Sequence, residues 1–209
     1  MQDLVNKTQR KIIEESLKLF MEKGYEETTI QDIINAVGMS KGAIYHYFKS
    51  KEDIFDAIWS TCFDENNVYD SIFNDKTQTG LAKVENVFVL NLQDTSKQKV
   101  DKFALPYIKN PKFLARSLKI TYETSTQFLQ SLIEQGIEDG SIKTKYPSEL
   151  ASSLSLLTNF WINPAVYEGT KEEVLKRCEF LCDLTENLGL SMNRQKILTA
   201  LGSYLEAVF

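Results

Sequence analysis

The chain has 209 residues, 43% of them apolar and 25% charged, a balance that supports a folded core and excludes a disordered or low-complexity chain. That length holds one large domain, or a small domain joined to a larger one, without disulfide staples. The formal charge of −5 excludes a protein that coats nucleic acid over its whole surface, since such binding needs many cations on phosphates, yet it leaves room for a local basic footprint.

The opening MQDLVNKTQRK lacks the apolar centre of an export signal, and no later stretch approaches the roughly 20 uninterrupted apolar residues of a spanning helix. The sequence therefore reads as cytoplasmic, with no membrane partner. Cys62 stands alone, while Cys178 and Cys182 lie four apart in an apolar helical pattern and read as buried thiols. No further thiol or histidine is near enough in sequence to complete a metal site, and no cofactor is expected.

Apolar residues recur at three- and four-residue steps throughout, and no alternating strand pattern survives between turn signals, so the expected fold is all-α, with about nine to ten helices. The first helix carries Ile13, Leu17 and Phe20 on one stripe and closes at Gly24. The second starts at Thr29, with Asp32 completing a capping box, and turns Ile30, Ile33, Ile34 and Val37 inward. Gly38 permits a sharp turn, and Ser40 is a good N-cap for a very short third helix through about Tyr47. A fourth opens at Ser50, with Asp53 in the reciprocal position, and runs on through Ile54, Phe55, Ile58 and Cys62. Further helices are expected at about 77–94, 96–109, 111–139, 147–168, 170–189 and 193–208. Their bounds rest on Pro111, Gly140, Pro147, Gly169, the Thr170 and Glu173 capping box, and Gly189. Pro106 and Pro164 fall inside apolar patterns and are expected to kink their helices.

Helix two, the glycine turn and helix three have the lengths of a helix-turn-helix, whose second helix enters the major groove of DNA. Ile44 and Phe48, four apart, must point inward. That leaves Ser40, Lys41, Gly42, Ala43, Tyr45, His46 and Tyr47 toward solvent or a partner, with Lys49 and Lys51 beyond; no acid lies between residues 40 and 51. Gly42 and Ala43 are small enough for the backbone to approach base edges, Ala43 can touch a thymine methyl, and Lys41 can donate to a guanine edge. Tyrosine hydroxyls, lysine ammoniums and helix N-termini hold phosphates, and Thr29 is placed to do so too. Outside this cluster the N-terminal region reads as near balance, with the chain's acidity assigned to the larger C-terminal part. The competing reading is a solvated basic face on a structural three-helix unit.

The stretch TTIQDIINAVGMSKGAIYHYFKSKEDIFDAI resembles the DNA-binding domain of the TetR family of bacterial transcriptional repressors, from the threonine-led second helix through a YxYF-like recognition helix to KSKE. The likeness covers about residues 10–58. It implies that Lys41 and Ala43 read bases, that Thr29, Tyr45, Tyr47 and Lys51 hold phosphates, and that His46 meets the backbone. It also implies a division into residues 1–50 for DNA binding, a linking helix over about 50–74, and residues 75–209 for effector binding and dimerisation.

GMSKG also matches the G-x-S-x-G of a hydrolase elbow, but an amphipathic helix precedes this serine where the elbow requires a strand. Six residues along a helix place His46 well around from Ser40, so no catalytic residues are assigned and the chain is not expected to be an enzyme.

In the C-terminal part, aromatic side chains at helical spacing read first as core. Phe88, Phe103, Tyr107, Tyr122, Thr126, Phe160 and Trp161 are the candidates to line an effector cavity. The run TYETSTQ over residues 121–127 is rich in weak helix formers, and supplies polar groups to a pocket or faces water. Helices 147–168 and 170–189 are the expected dimer pair, with Ala151, Ser152 and Ser155 as small residues that permit close helix approach there; burial of these residues within one subunit is the alternative. The function so implied is a repressor that binds a palindromic double-stranded operator as a homodimer and is released by an unknown small molecule. A helical small-molecule-binding or scaffold protein with a non-functional helix-turn-helix, and a transcriptional activator, are the alternatives.

Overall fold

The computed structural model describes residues 2–64, 67–95, 98, 111–164 and 166–208. The regular elements among the described residues are helices, with no strand among them. The chain divides into two compact units, Met1–Asn66 and Asn67–Phe209.

The first unit contains α1 (Gln2–Lys23), α2 (Ile30–Val37), α3 (Lys41–Tyr47) and α4 (Lys51–Asp64). The deepest stripe of α1 is Ile12, Ser16 and Phe20, all at or below 1% exposure, while Ile13 and Leu17 of the expected stripe are only half-buried. The 3.6-residue period is as expected; its phase is set by contacts of α1 with α2 and α4. Gly24 closes α1 with φ 89°, a left-handed conformation that glycine reaches without steric cost. Ile33, Ile34, Val37, Ile44, Phe48, Ile54, Phe55 and Ile58 complete this core, each worth about 1.5–3 kcal/mol when fully buried.

The second unit begins with α5 (Asn67–Asn74), a separate helix within the stretch expected as one linking helix, and continues with α6 (Gly80–Gln93). Then come α7 (Pro111–Ile120), a π-helical segment at Thr121–Thr126, and α8 (Gln127–Glu138). After these lie α9 (Pro147–Leu156), a second π-helical segment at Leu157–Trp161, α10 (Lys171–Asn187) and α11 (Arg194–Val208). The helix expected over 96–109, with its Pro106, lies outside the described residues.

The helix expected over 147–168 does not kink at Pro164; it ends before it. The Ile162 amide bonds to the Leu157 carbonyl at 2.8 Å in a widened turn, and Asn163 precedes a proline, which disfavours the helical conformation there. The polar run 121–127 likewise winds as a π turn, with Thr126 Oγ1 donating to the Thr121 carbonyl at 3.2 Å. Thr121 and Thr126 face inward, whereas Tyr122, Glu123 and Thr124 are exposed.

Helix α6 is the spine of this unit. Val84 and Val87 pack with Leu129, Leu132, Ile133, Leu150, Ala151 and Leu154, and Phe88 also reaches a second cluster of Val174, Cys178, Leu181, Cys182, Leu201 and Leu205. Cys178 and Cys182 are thus buried thiols. At the N-terminus of α6, side chains from the α8–α9 turn satisfy orphan amides: Asp139 Oδ2 accepts from Gly80 N at 2.7 Å and Ser141 Oγ from Leu81 N at 3.2 Å. A hydrogen bond from the Ser141 side chain to Asp139 foremost, and then that from the Gly80 amide, hold the Asp139 carboxyl below the usual carboxylate range. The buried Lys83 ammonium donates to the Phe73 carbonyl and to Gln135 Oε1, both at 2.7 Å, as a desolvated cation requires.

Helices α6 and α8 cross at Gly80 and Gly136, where a Cβ on Gly80 would overlap the Gly136 amide nitrogen and Cα and lie 2.7 Å from the Leu132 carbonyl oxygen. Backbone cannot step aside as a flexible side chain can. Gly80→Ala should therefore cost at least about 1–3 kcal/mol, read as a lower urea midpoint with an unchanged slope; an unchanged midpoint would show that these helices part freely.

Candidate nucleic-acid interface

The candidate surface is built from the ends of short helices. Thr29 caps α2 with both halves of the expected box: its Oγ1 accepts from Asp32 N at 3.1 Å, and its own amide donates to Asp32 Oδ2 at 2.9 Å. The Thr29 hydroxyl also donates to that carboxylate at 2.7 Å, and Lys23 donates to its other oxygen at 2.9 Å. These bonds, that of the Thr29 hydroxyl foremost, hold the Asp32 carboxyl well below the usual range. The hydroxyl expected to hold a phosphate therefore already serves the cap.

Gly38 ends α2 at φ 72°, its amide bonding to the Ile34 carbonyl at 3.0 Å. Lys11 Nζ donates to the Val37 carbonyl at 3.0 Å, satisfying another orphan acceptor. The chain then enters α3 at Ser40, whose Oγ accepts from Ala43 N at 3.2 Å. With α2 ahead of it, this serine is a helix cap, and the strand a nucleophile elbow needs is not there.

Ile44 is fully buried and Phe48 is 5% exposed, so these two side chains pin α3 to the core. Ser40, Lys41, Gly42, Tyr45, His46 and Lys49 are exposed, while Ala43 and Tyr47 are half-buried at the rim. Lys41 Nζ lies 5.8 Å from the Tyr45 ring centroid one helical turn on, and His46 meets Tyr47 edge-on at 5.2 Å. An added Cβ on Gly42 would meet no atom within 4 Å, so the fold itself imposes no glycine at that position.

Helix α4 opens with Ser50 Oγ accepting from Asp53 N at 3.1 Å, as expected of a cap. The Asp53 carboxylate does not return to Ser50; it accepts from Lys49 N at 2.9 Å. Lys51, expected on a phosphate, turns inward. Its ammonium donates to the carbonyls of Tyr25 at 2.6 Å, Thr28 at 2.9 Å and Glu26 at 3.2 Å, and lies 4.2 Å from the Tyr25 ring centroid.

The charge does not divide as expected. Met1–Asn66 holds eight Lys and Arg against twelve Asp and Glu, a formal −4 of the total −5, while the remaining 143 residues hold sixteen against seventeen. The acidity belongs to the unit that carries the basic cluster, and the stretch from Ser40 to Lys51 stands out within it because it contains no acid.

The residues proposed for an effector cavity are dispersed. Phe88 is half-buried between two core clusters, Thr126 is buried and bonded to Thr121, and Tyr122 is 66% exposed. Phe160 and Trp161 are half-buried, with Trp161 edge-on to Phe180 at 5.7 Å. Phe103 and Tyr107 lie outside the described residues. Arg177, which the sequence did not flag, gathers the carbonyls of Trp161, Tyr167 and Glu168 at 2.8–3.2 Å. Ala151 and Ser155, expected at a dimer contact, are buried within the subunit, where small side chains let α9 approach α8. No described helix is long and apolar enough to cross a membrane.

The sequence profile of the bacterial regulatory proteins, tetR family, matches residues 12–58, the span of the elements just described. The biofilm operon negative transcriptional regulator IcaR of Staphylococcus aureus is 42% identical over 57 residues, 27% of this chain and 31% of IcaR. The transcriptional repressor KstR2 of Rhodococcus jostii is 30% identical over 142 residues, 64% of this chain and 67% of KstR2. Two solved structures share the fold over nearly the whole length. GusR of Salmonella enterica has a TM-score of 0.60 at 17% identity and covers 95% of both chains. A TetR-family regulator from Pectobacterium atrosepticum has a TM-score of 0.62 at 18% identity and covers 92% of this chain and 100% of its own. A capped helix pair matching the family profile, a relative aligned well beyond that pair, and an all-helical fold shared end to end together place this chain in the TetR family of bacterial regulatory proteins.

Proposed function

We propose that the protein is a cytoplasmic, sequence-specific transcriptional repressor that binds a palindromic double-stranded operator as a homodimer and is released from it by a small-molecule effector. The observation that carries this reading is α3: a helix pinned by Ile44 and Phe48 whose opposite face offers Lys41, Gly42, Tyr45 and His46 to solvent. A free face of small, cationic and hydroxyl-bearing side chains suits the major groove. The repressor sign follows the relatives, since IcaR is a negative regulator and KstR2 a repressor.

In this reading Lys41 and Ala43 read base edges, while Tyr45, Tyr47, His46, Lys49 and the amide end of α3 capped by Ser40 hold the backbone. Thr29 contributes through the α2 N-terminus that it caps, more than through its committed hydroxyl. Phe88 and the inward Thr126 are the described candidates nearest the core for lining an effector cavity. Phe180, 54% exposed and touching Trp161, and Leu156, 45% exposed, are the large apolar groups exposed on the late helices among the described residues, and suit a second subunit. Two α3 helices related by that symmetry would occupy successive major grooves about 34–36 Å apart.

Selecting binding sites from random double-stranded DNA should return an inverted repeat, and recovery of no shared sequence would remove the reading. On the selected site, Tyr45→Ala should weaken binding without lowering the melting temperature, because the ring is exposed; equal affinity in a titration would take Tyr45 out of the interface. Gly42→Ala should act in opposite directions on two measurements. Alanine in the open first turn of α3 should stabilise the fold by up to about 0.5–1 kcal/mol, while the added methyl holds the backbone off the bases and lowers DNA affinity. A rise in both would show that Gly42 does not approach DNA.

A further inference from the structure

The Lys51 side chain is the most fully committed cation described in the N-terminal unit. Its three ammonium hydrogens match three main-chain acceptors, the carbonyls of Tyr25, Glu26 and Thr28, and the Tyr25 ring closes one side of the cradle. That ring is fixed by contacts with Phe20 and Phe55, each at a centroid distance of 5.1 Å. Burial, and then the nearby carboxylates of Glu52, Glu26 and Asp56, push the Tyr25 hydroxyl pKa up, so the ring stays neutral and keeps its electron-rich face toward the cation.

The place of this cradle in the chain gives it a consequence for α3. Thr28 immediately precedes Thr29, the N-cap of α2, and Lys51 follows α3 by only a few residues. Helices α2 and α3 are joined at their near ends by the Gly38 turn. Lys51 joins the start of α2 to the exit of α3, and so closes the pair on its other side. To reach a phosphate its ammonium would have to abandon all three carbonyls. Lys49, two residues earlier, is exposed and suits the phosphate contact.

We propose that Lys51 is a positioning residue for DNA binding, which acts from inside the protein by holding the α1–α2 turn against the start of α4 and does not contact a phosphate. This rests on the DNA-binding reading above.

The test uses the full chain as wild type, Lys51→Met, Lys51→Arg, Tyr25→Leu and the Lys51→Met/Tyr25→Leu double variant, on the DNA site selected by the wild type. Lys51→Met should bind about 3- to 10-fold more weakly, with the slope of log K against log salt unchanged. Its loss should be non-additive with that of Tyr25→Leu, because both act through one turn. Lys51→Arg keeps the charge, so a phosphate contact would survive it, whereas a cradle fitted to a compact ammonium would not; it should bind weakly too. In the free proteins, the amides of residues 25–31 should exchange faster in Lys51→Met than in wild type. A slope reduced by about 0.9 per subunit, with additive losses and full binding by Lys51→Arg, would make Lys51 a phosphate ligand and overturn the proposal. Wild-type affinity in a folded Lys51→Met variant, or unchanged exchange in the turn, would overturn it equally. A wild-type chain that selects no sequence refutes the DNA-binding reading itself, and exchange in the free protein then decides alone whether Lys51 holds the turn.

Discussion

A seven-residue helix does not persist in water by itself, because nucleating it costs more than its few hydrogen bonds return. Helix α3 therefore exists only because Ile44 and Phe48 are buried and because Ser40 satisfies one of its orphan amides. The rest of the N-terminal unit serves that constraint. Phe20, Ile33, Ile34 and Val37 build the core, and Lys11 and Lys51 bind the carbonyls that helix ends and turns leave open. The outward face of α3 is then free of structural duty, and Gly42, surrounded by open space, shows how completely.

Charge is used sparingly in this unit. Lys18 pairs with Glu15, Lys23 with Asp32, and Lys11 and Lys51 serve main-chain carbonyls. Lys41 and Lys49 remain on the exposed rim of a unit that is formally acidic. A binding surface of this kind draws less on long-range attraction to a polyanion than on the fit of one helix and its flanking amides, which makes the placement of α3 matter more than its charge.

The C-terminal unit solves a different problem, that of packing long helices that carry polar or bulky interruptions. The Gly80 and Gly136 crossing brings two backbones together, and the α8–α9 turn caps α6 with Asp139 and Ser141. Where hydroxyl-bearing or bulky residues accumulate, at 121–126 and 157–161, the helix widens into π turns. Such turns are rare and frequent at functional sites, and here they set Thr121 and Thr126 inward while Tyr122 is turned out.

The local signals were legible residue by residue. Thr29 with Asp32, Ser40, Thr170 with Glu173, and the glycines at 24 and 38 are caps and turns whose chemistry lies within a few positions, so the sequence by itself determined where those helices begin and end and which face of α3 turns inward. It also determined the family, because that short-range pattern is the part that matches it. Tertiary structure alone decided the questions that depend on distant partners: the phase of α1, the inward commitment of Lys51, the burial of Ala151 and Ser155 within the subunit, and the π turn at residues 121–126. Periodicity says that a side chain lies on a face, but what stands opposite that face is set by chain tens of residues away, and no local pattern encodes it.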